Sequence, residues 1–242
     1  MTRGFQLTPP FFEIGPKCYL YGDELLALAH AADRASRRYN VPIIFDPPES
    51  AIATIADECR TLLVFAQHID PIEPGRGMGA TLPEAVKAAG AVGSLLNHAE
   101  RPVDLSALAR TIRRAEAVGL ATMVCADSIE EAAAIAHLHP DIVVAEPSSL
   151  IGTGERSNSD YVAESIRAVK EIDPRILVLQ AAGIRSGSDV YEVIKAGAEA
   201  TGSSSGIATA ADPESMIDEM VGAVRAAWDE LHASERLGSE QR

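Results

Sequence analysis

The sequence predicts an α/β protein folded as a single (β/α)8 barrel, and three observations support this fold class. Short apolar runs rich in Val, Ile and Leu recur along the chain, each followed by a loop and a helix-like pattern. There are eight such units in 242 residues, which is close to the usual length of one barrel. Eight regular alternations without a break in composition favour a closed barrel over a doubly wound open sheet.

The predicted strands are short apolar runs bounded by polar or turn-forming residues. Buried parallel strands read as nearly continuous apolar segments, because helices cover the outer face of the sheet. In chain order the predicted strands are residues 11–14, 42–45, 62–66, 91–96, 121–125, 142–146, 176–180 and 200–203, the last with the weakest pattern.

The segments between the strands carry apolar residues at three- and four-residue spacing, which is typical of amphipathic helices. Pro213 and Glu214 also suit the first turn of a helix. We expect residues 1–242 to form one domain whose polar C-terminus frays from about residue 234. The predicted helices include residues 24–38, 105–117, 129–137, 160–171 and 213–231.

Charge and composition limit the partners of the chain. A net charge of −14 and an isoelectric point near 4.8 oppose binding to nucleic acid or to anionic membranes. The three cysteines contain no CxxC pair, so neither a disulfide framework nor a structural zinc site is predicted. With no apolar run of signal-peptide or membrane-spanning length, we expect a soluble cytoplasmic protein.

Functional side chains in a (β/α)8 barrel lie on the loops that follow the carboxyl ends of the strands. The sixth predicted strand ends with Glu146, and a loop containing two glycines follows it. A carboxylate at an apolar strand end, beside a loop able to exclude water, has its pKa raised as a general base requires. The alternative is a carboxylate that only caps the rim of the barrel.

Two further polar residues follow strands at the same face. His98 follows strand four, where a neutral imidazole can polarise a carbonyl group or serve only as a structural histidine. Lys17 follows strand one, where its ammonium can hold an anionic substrate or lie in solvent. The position of His98 beside Glu146 favours the functional interpretation. Glu100 and Arg101 are interpreted as a supporting ion pair.

Three glycine-containing segments follow strands six, seven and eight, namely residues 151–154, 182–187 and 203–206. Barrel phosphate sites are commonly built from the loops after strands seven and eight together with a helix N-terminus. The joint placement of these segments predicts a site for a phosphate group.

Other polar residues receive structural interpretations. His68, Asp70 and Glu73 follow strand three, but prolines lie among them and their spacing matches no recognised metal motif. Cys125 is interpreted as a small buried hydrophobe. We expect neither a metal nor an organic cofactor.

Long segments carry a specific family resemblance: FAQHIDPIEPG at 65–75, LPEAVKAAGAVGSLLNHAER at 82–101, AEPSSLIGTG at 145–154 and AAGIRSGSDV at 181–190. Over nearly its whole length the chain resembles triosephosphate isomerases, most closely the short archaeal type. The resemblance implies a TIM barrel and an isomerase that interconverts glyceraldehyde 3-phosphate and dihydroxyacetone phosphate. It further implies that Lys17 is the active-site cation, His98 the electrophile and Glu146 the base, with Gly152, Gly183, Ser205 and Gly206 near the phosphate.

The chain departs from the family pattern beside these residues. Gly15 stands where the family's Asn-x-Lys motif has a substrate-contacting asparagine, and Ala99 replaces the serine of NHSER. The first change removes volume and a hydrogen-bond donor next to the substrate. A paralogue that isomerises another small sugar phosphate, such as a four-carbon ketose phosphate, is therefore an alternative. A barrel that binds a phosphorylated metabolite without catalysis is a third hypothesis.

The third loop of the barrel differs as well. Residues 76–79 read RGMG where the family commonly has a threonine, and family members associate through this loop. We expect a homodimer or a homotetramer.

Overall fold

The computed structural model describes residues 5–150 and 158–233. Within them eight strands form a closed barrel, in which each strand pairs in parallel with the next and the last pairs with the first. The predicted fold class is thereby confirmed. The strands are β1 (Phe11–Ile14), β2 (Ile43–Phe45), β3 (Leu62–Ala66), β4 (Gly93–Leu96), β5 (Ala121–Ala126), β6 (Ile142–Ala145), β7 (Leu177–Gln180) and β8 (Ala200–Ser203).

Helices surround the barrel, and the longest of them, at the C-terminal end of the described chain, packs against both α1 (Gly22–Tyr39) and α7 (Gly187–Lys195). It thereby closes the outer ring. The other helices are α2 (Ile52–Glu58), α3 (Pro83–Ala88), α4 (Leu105–Val118), α5 (Ile129–Ala136), α6 (Ser159–Lys170), α8 (Ser205–Ala208) and the closing helix α9 (Pro213–Leu231).

Among the described residues, five helices begin at a side chain that caps them. In each case the capping oxygen accepts the backbone N–H three residues further on, which satisfies one of the N–H groups that lack a partner inside the helix. The prediction of a helix start at Pro213 is confirmed, with Asp212 as its cap. The capping residues are Asp104, Ser128, Asn158, Ser186 and Asp212.

Alternation of side chains along the strands produces two cores. Phe12 and Ile14 point outward into the layer between sheet and helices, whereas Phe11 points inward. The inner core fills the lower part of the barrel and is tightly packed. A Cβ atom on Gly93, for example, would lie 2.4 Å from the ring of Phe65, so only glycine fits there. Inward side chains include Phe11, Ile44, Phe65, Met123, Ile142, Leu177 and Ala200.

The predicted strand boundaries agree with the structure to within two residues. β4 begins at Gly93 rather than at residue 91, and β6 ends at Ala145, one residue before Glu146. The backbone N–H of Glu146 nevertheless donates to the carbonyl of Ala126 at 3.0 Å, which continues the ladder to β5. The position of Glu146 is therefore fixed by the sheet itself. No helix in the described part of the chain is long and apolar enough to cross a membrane.

Candidate active site

A cavity of about 440 Å³ opens at the carboxyl end of the barrel, within the range of about 300–1,000 Å³ usual for small-molecule pockets. Its floor consists of inward-pointing residues of the strands, among them Leu95, Met123, Val144 and Leu179. Above this apolar floor lie the polar residues of the loops. The cavity therefore has the layout expected of a barrel active site, with charged groups held over a packed core.

The alternation of side chains along β6 directs Glu146 into this cavity. Ile142 and Val144 point into the barrel, and Glu146 follows them at the same two-residue spacing. Its side chain is 15% exposed, and burial raises the pKa of the carboxyl above its ordinary value, partly offset by the positive charge of Lys17. A raised pKa makes this carboxylate a stronger base than an exposed one.

His98 reaches the cavity because the backbone turns just before it. Leu96 points from β4 into the outer core. If side chains kept alternating along the strand, His98, two residues later, would point outward as well. Asn97 interrupts the alternation with a left-handed backbone, at φ 57°, which asparagine adopts more readily than most residues. Its side-chain amide donates to the carbonyl of Cys125 at 3.0 Å and its oxygen accepts the N–H of Val103 at 3.1 Å.

The hydrogen bonds of His98 define its tautomer. The backbone N–H of Glu100 donates to Nδ1 at 3.1 Å, so Nδ1 is an acceptor and the proton of the neutral ring lies on Nε2. Burial, followed by the charge of Lys17, lowers the pKa of the imidazole. His98 is therefore neutral at physiological pH. Its Nε2 lies 3.7 Å from Oε2 of Glu146, too far for a hydrogen bond between them.

Lys17 completes the group at the mouth of the cavity. Its Nζ donates to Oε1 of Glu100 at 2.8 Å, and its carbonyl accepts from the amide of Gln67 at 3.2 Å. Its own backbone is left-handed, with φ 46°, a conformation that costs a lysine about 1 kcal/mol or more and that clusters at functional sites. The expected pairing of Glu100 with Arg101 is wrong, because the carboxylate of Glu100 turns to Lys17 instead.

A second pair of acids, Glu13 and Asp46, lines the same cavity. Burial, the charge of Asp46 and a hydrogen bond to Asp46 raise the pKa of Glu13 well above its usual range. Burial also raises the pKa of Asp46, to about 6, although the bond to Glu13 opposes this. The hydrogen bond between the two carboxyls requires a proton on one of them, and it acts to raise the pKa of Glu13 and to lower that of Asp46, so the shared proton is assigned to Glu13.

The loops after β7 and β8 also line the cavity, and β8 lies beside β1. Gly183 and Ser205 line it, and Gly183 has the left-handed φ of 74° that favours glycine. Gly206 lies behind them, where a Cβ atom would be 2.6 Å from the carbonyl of Ile184. Glycine at 206 thus allows the two loops to pack together. Gly152, the remaining predicted phosphate residue, lies outside the described residues.

Two residues with structural interpretations, His68 and Cys125, also line the cavity. Nε2 of His68 lies 3.3 Å from Asp70, and Asp70 accepts the N–H of Thr81 at 2.7 Å, which ties together the two ends of the third loop. Burial, followed by the charges of Glu146, Glu13 and Asp46, raises the pKa of Cys125 well above its ordinary value. The thiol is therefore neutral.

Sequence reasoning did not select Glu13, Asp46, Gln67 or Arg185, although all four line the cavity. All four had a usable signal. Glu13 is an acid at an inward position of an apolar strand, and Asp46 follows directly after β2, at the end where functional residues are expected. Gln67 likewise follows directly after β3, and Arg185 lies in the loop after β7 that was predicted to bind phosphate.

Comparison with known proteins gives a consistent assignment. The family model described as triosephosphate isomerase matches residues 15–200. A triosephosphate isomerase of Methanobacterium bryantii is 38% identical over 217 residues, covering 88% of this chain and 96% of the relative. Those of Sulfolobus acidocaldarius and Methanosarcina barkeri are 35% and 34% identical, covering 89% and 88% of this chain and 95% and 97% of the relatives.

The barrel and these matches define the class of the protein, which is an isomerase of the intramolecular oxidoreductase type. Within that class, the chain belongs to the triosephosphate isomerase family.

Proposed function

We propose that the chain interconverts a ketose and an aldose phosphate by proton transfer through an enediolate, with triose phosphates as the default substrates. The observation that carries this proposal is the pairing of a buried carboxylate with a neutral imidazole across 3.7 Å, beside the ammonium of Lys17. The relatives named triosephosphate isomerase support the same substrates.

Each group has a distinct task in this reaction. Glu146 removes the proton from the carbon next to the carbonyl and returns it to the neighbouring carbon. The Nε2–H of His98 donates to the oxygen on which negative charge develops, and it does so as a neutral donor. Lys17 attracts the anionic substrate and stabilises the developing charge. Neither a metal nor an organic cofactor takes part in these steps.

The phosphate is proposed to bind at the loops after β7 and β8. Gly183 and Ser205 line the cavity there, and the first N–H groups of any helix lack acceptors inside the helix. Gly206 supports this site by packing, and Gly152 is proposed as a further contact from the loop after Glu146. We propose that the enzyme acts in the cytoplasm as a homodimer or homotetramer, whose mass sedimentation velocity would measure.

The test is exchange of substrate C–H protons in deuterated water, followed by NMR, for triose phosphates and for four- and five-carbon ketose phosphates. We expect exchange with the wild-type protein, and a loss of about 10²–10⁴-fold in kcat for Glu146→Gln, because general base catalysis contributes that much. Asp218→Asn, which removes a remote surface carboxylate bonded to Tyr39, is the matched control. Binding of phosphate esters without any exchange would overturn the proposal.

A second candidate substrate, a four-carbon ketose phosphate, is favoured by the acid that fills the space beside Gly15. A Cβ atom there would lie 2.5 Å from Oε1 of Glu13, so the carboxyl of Glu13 occupies the room that a side chain at 15 would need. Exchange of a four-carbon substrate much faster than that of triose phosphates would replace the default.

A further inference from the structure

The carboxyl pair of Glu13 and Asp46 has no task in the proton transfer described above. Both side chains line the cavity, and Asp46 is only 3% exposed. Its Oδ1 is buried without a hydrogen-bond partner among the described residues. A buried carboxylate oxygen without a donor costs about 1–3 kcal/mol or more, and because Asp46 lines the cavity, a ligand bound there can supply the missing donor.

Glycine at two positions makes room for the pair. Beside β1, a Cβ atom on Gly15 would lie 2.5 Å from Oε1 of Glu13 and 3.2 Å from Oδ2 of Asp46. In β8, a Cβ atom on Gly202 would lie 2.2 Å from Oε2 of Glu13. The carboxyl of Glu13 is thus seated between two glycines, and any larger residue at either position would displace it.

The pair lies close to the groups that carry out the proton transfer. The charges of Lys17 and Glu146 act on both Glu13 and Asp46, with Lys17 lowering and Glu146 raising their pKa values. The backbone oxygen of Asp46 accepts from Gln67 at 2.9 Å, and Gln67 also holds the carbonyl of Lys17. The pair therefore lies within electrostatic reach of Glu146 and Lys17, and Gln67 links the backbone of Asp46 to that of Lys17.

We propose that the Glu13–Asp46 pair binds a hydroxyl group on the carbon that adjoins the carbonyl on its phosphate side, and so favours ketose phosphates of four or more carbons over the default triose phosphates. In this arrangement the hydroxyl donates to Oδ1 of Asp46, while the protonated Glu13 donates to the other carboxyl oxygen. Dihydroxyacetone phosphate carries no such hydroxyl between its carbonyl and its phosphate ester. The proposal rests on the isomerase function proposed above and names its substrate class.

The test compares two four-carbon ketose phosphates that differ only in the hydroxyl at carbon 3, one bearing it and one deoxygenated there. Blank-corrected exchange of the carbon 1 protons in deuterated water gives kcat/KM for each. We expect the wild-type protein to prefer the hydroxylated compound by about 10- to 100-fold, the factor that a hydrogen bond to a charged acceptor supplies.

Asp46→Asn should reduce this preference to about threefold or less, because the amide presents a weaker acceptor in the same space. Asp218→Asn on α9 should keep the full preference. Since each variant is measured on both compounds, a general effect on Glu146 or Lys17 cancels in the ratio. Gly15→Ala provides a second variant, as its methyl group displaces the carboxyl of Glu13 without changing any charge, and it should lower the preference as well.

Equal losses on both compounds in Asp46→Asn and Gly15→Ala would overturn the proposal, as would a wild-type preference for the deoxygenated compound. In either case exchange itself persists, so the isomerase function stands. Absence of exchange with every sugar phosphate would instead refute the isomerase function, and the assignment of the pair with it.

Discussion

Burial acts in opposite directions on the two residues that face each other in the cavity. It raises the pKa of Glu146, an acid, and lowers the pKa of His98, a base, because in both cases the charged form loses its hydration. The result is a carboxylate strong enough to remove a proton from carbon and an imidazole that donates without being charged. The backbone N–H of Glu100 then fixes which nitrogen of His98 donates.

The pH dependence of activity follows from these shifts. We expect kcat/KM to rise with pH as Glu146 loses its proton, with a midpoint above the ordinary value of 4.5, and to show no limb from protonated His98 in the neutral range. Asp127→Asn should move the midpoint to lower pH, because the charge of Asp127 raises the pKa of Glu146. Rate profiles of both proteins from pH 4 to 9 would show this.

An unchanged midpoint in Asp127→Asn, with wild-type activity falling below pH 7 through a group of ordinary histidine pKa, would contradict the assignment of Glu146 as the base. Asp218→Asn serves again as the remote carboxylate control.

At the scale of the elements, the turn after β4 determines where the imidazole lies. Asn97 adopts its left-handed backbone and holds it with bonds to Cys125, Val103 and Glu131, the last at 3.2 Å. The chain is thereby anchored to β5, to α5 and to the segment before α4. His98 is therefore positioned by this turn rather than by the alternation of side chains along β4.

Asn97→Ala should therefore reduce kcat by tenfold or more, since displacement of a catalytic group by about 1 Å can cost about 100-fold. It should also destabilise the fold by about 1–3 kcal/mol through lost buried hydrogen bonds. Asn40→Ala is the matched control, because Asn40 has a similar left-handed backbone, at φ 51°, but ends α1 away from the cavity.

Kinetics and thermal unfolding of both variants separate the two effects. Asn40→Ala should lower stability without lowering kcat. In a His98→Gln background, Asn97→Ala should cause little further loss of activity. A full additional loss there would show that Asn97 does not act through His98.

The elements themselves were predictable to different degrees. The strands and the long helices α1, α4 and α9 show enough repeats of their apolar pattern to be placed within two residues. Helices α2 and α8 have seven and four residues, too few turns for a periodic signal.

Lys17, His98 and Glu146 were predictable as candidates because each follows a strand and carries a side chain suited to proton transfer or to anion binding. The pairing of Lys17 with Glu100 and the left-handed turn at Asn97 were not predictable, because both depend on backbone geometry that apolar periodicity does not encode. Glu13 and Asp46 are 33 positions apart, and the parallel pairing of β1 with β2 brings their carboxyls together at the cavity.

At the scale of the whole molecule, the acid pair in the cavity makes stability depend on pH. The pKa of Asp46 is raised from 3.8 to about 6 in the folded protein. The folded state therefore binds a proton here more tightly than the unfolded chain does. The stabilisation from this proton is fully present below pH 3.8 and is lost as the pH rises through about 6.

Asp46→Asn should consequently stabilise the protein at pH 8, by about 2–3 kcal/mol, since one unit of pKa shift corresponds to about 1.4 kcal/mol. The gain should shrink as the pH falls and disappear near pH 4, where Asp46 of the wild-type protein is itself protonated. Thermal unfolding of the two proteins across this range measures the difference directly. Asp218→Asn is the control, and its effect on stability should not change with pH in this way.

Destabilisation by Asp46→Asn at pH 8 would mean that the carboxylate is well satisfied within the fold, and Oδ1 would then need no donor from the substrate. Stabilisation together with loss of the hydroxyl preference would show that the fold carries an unfavourable buried charge at the one place where the substrate can satisfy it.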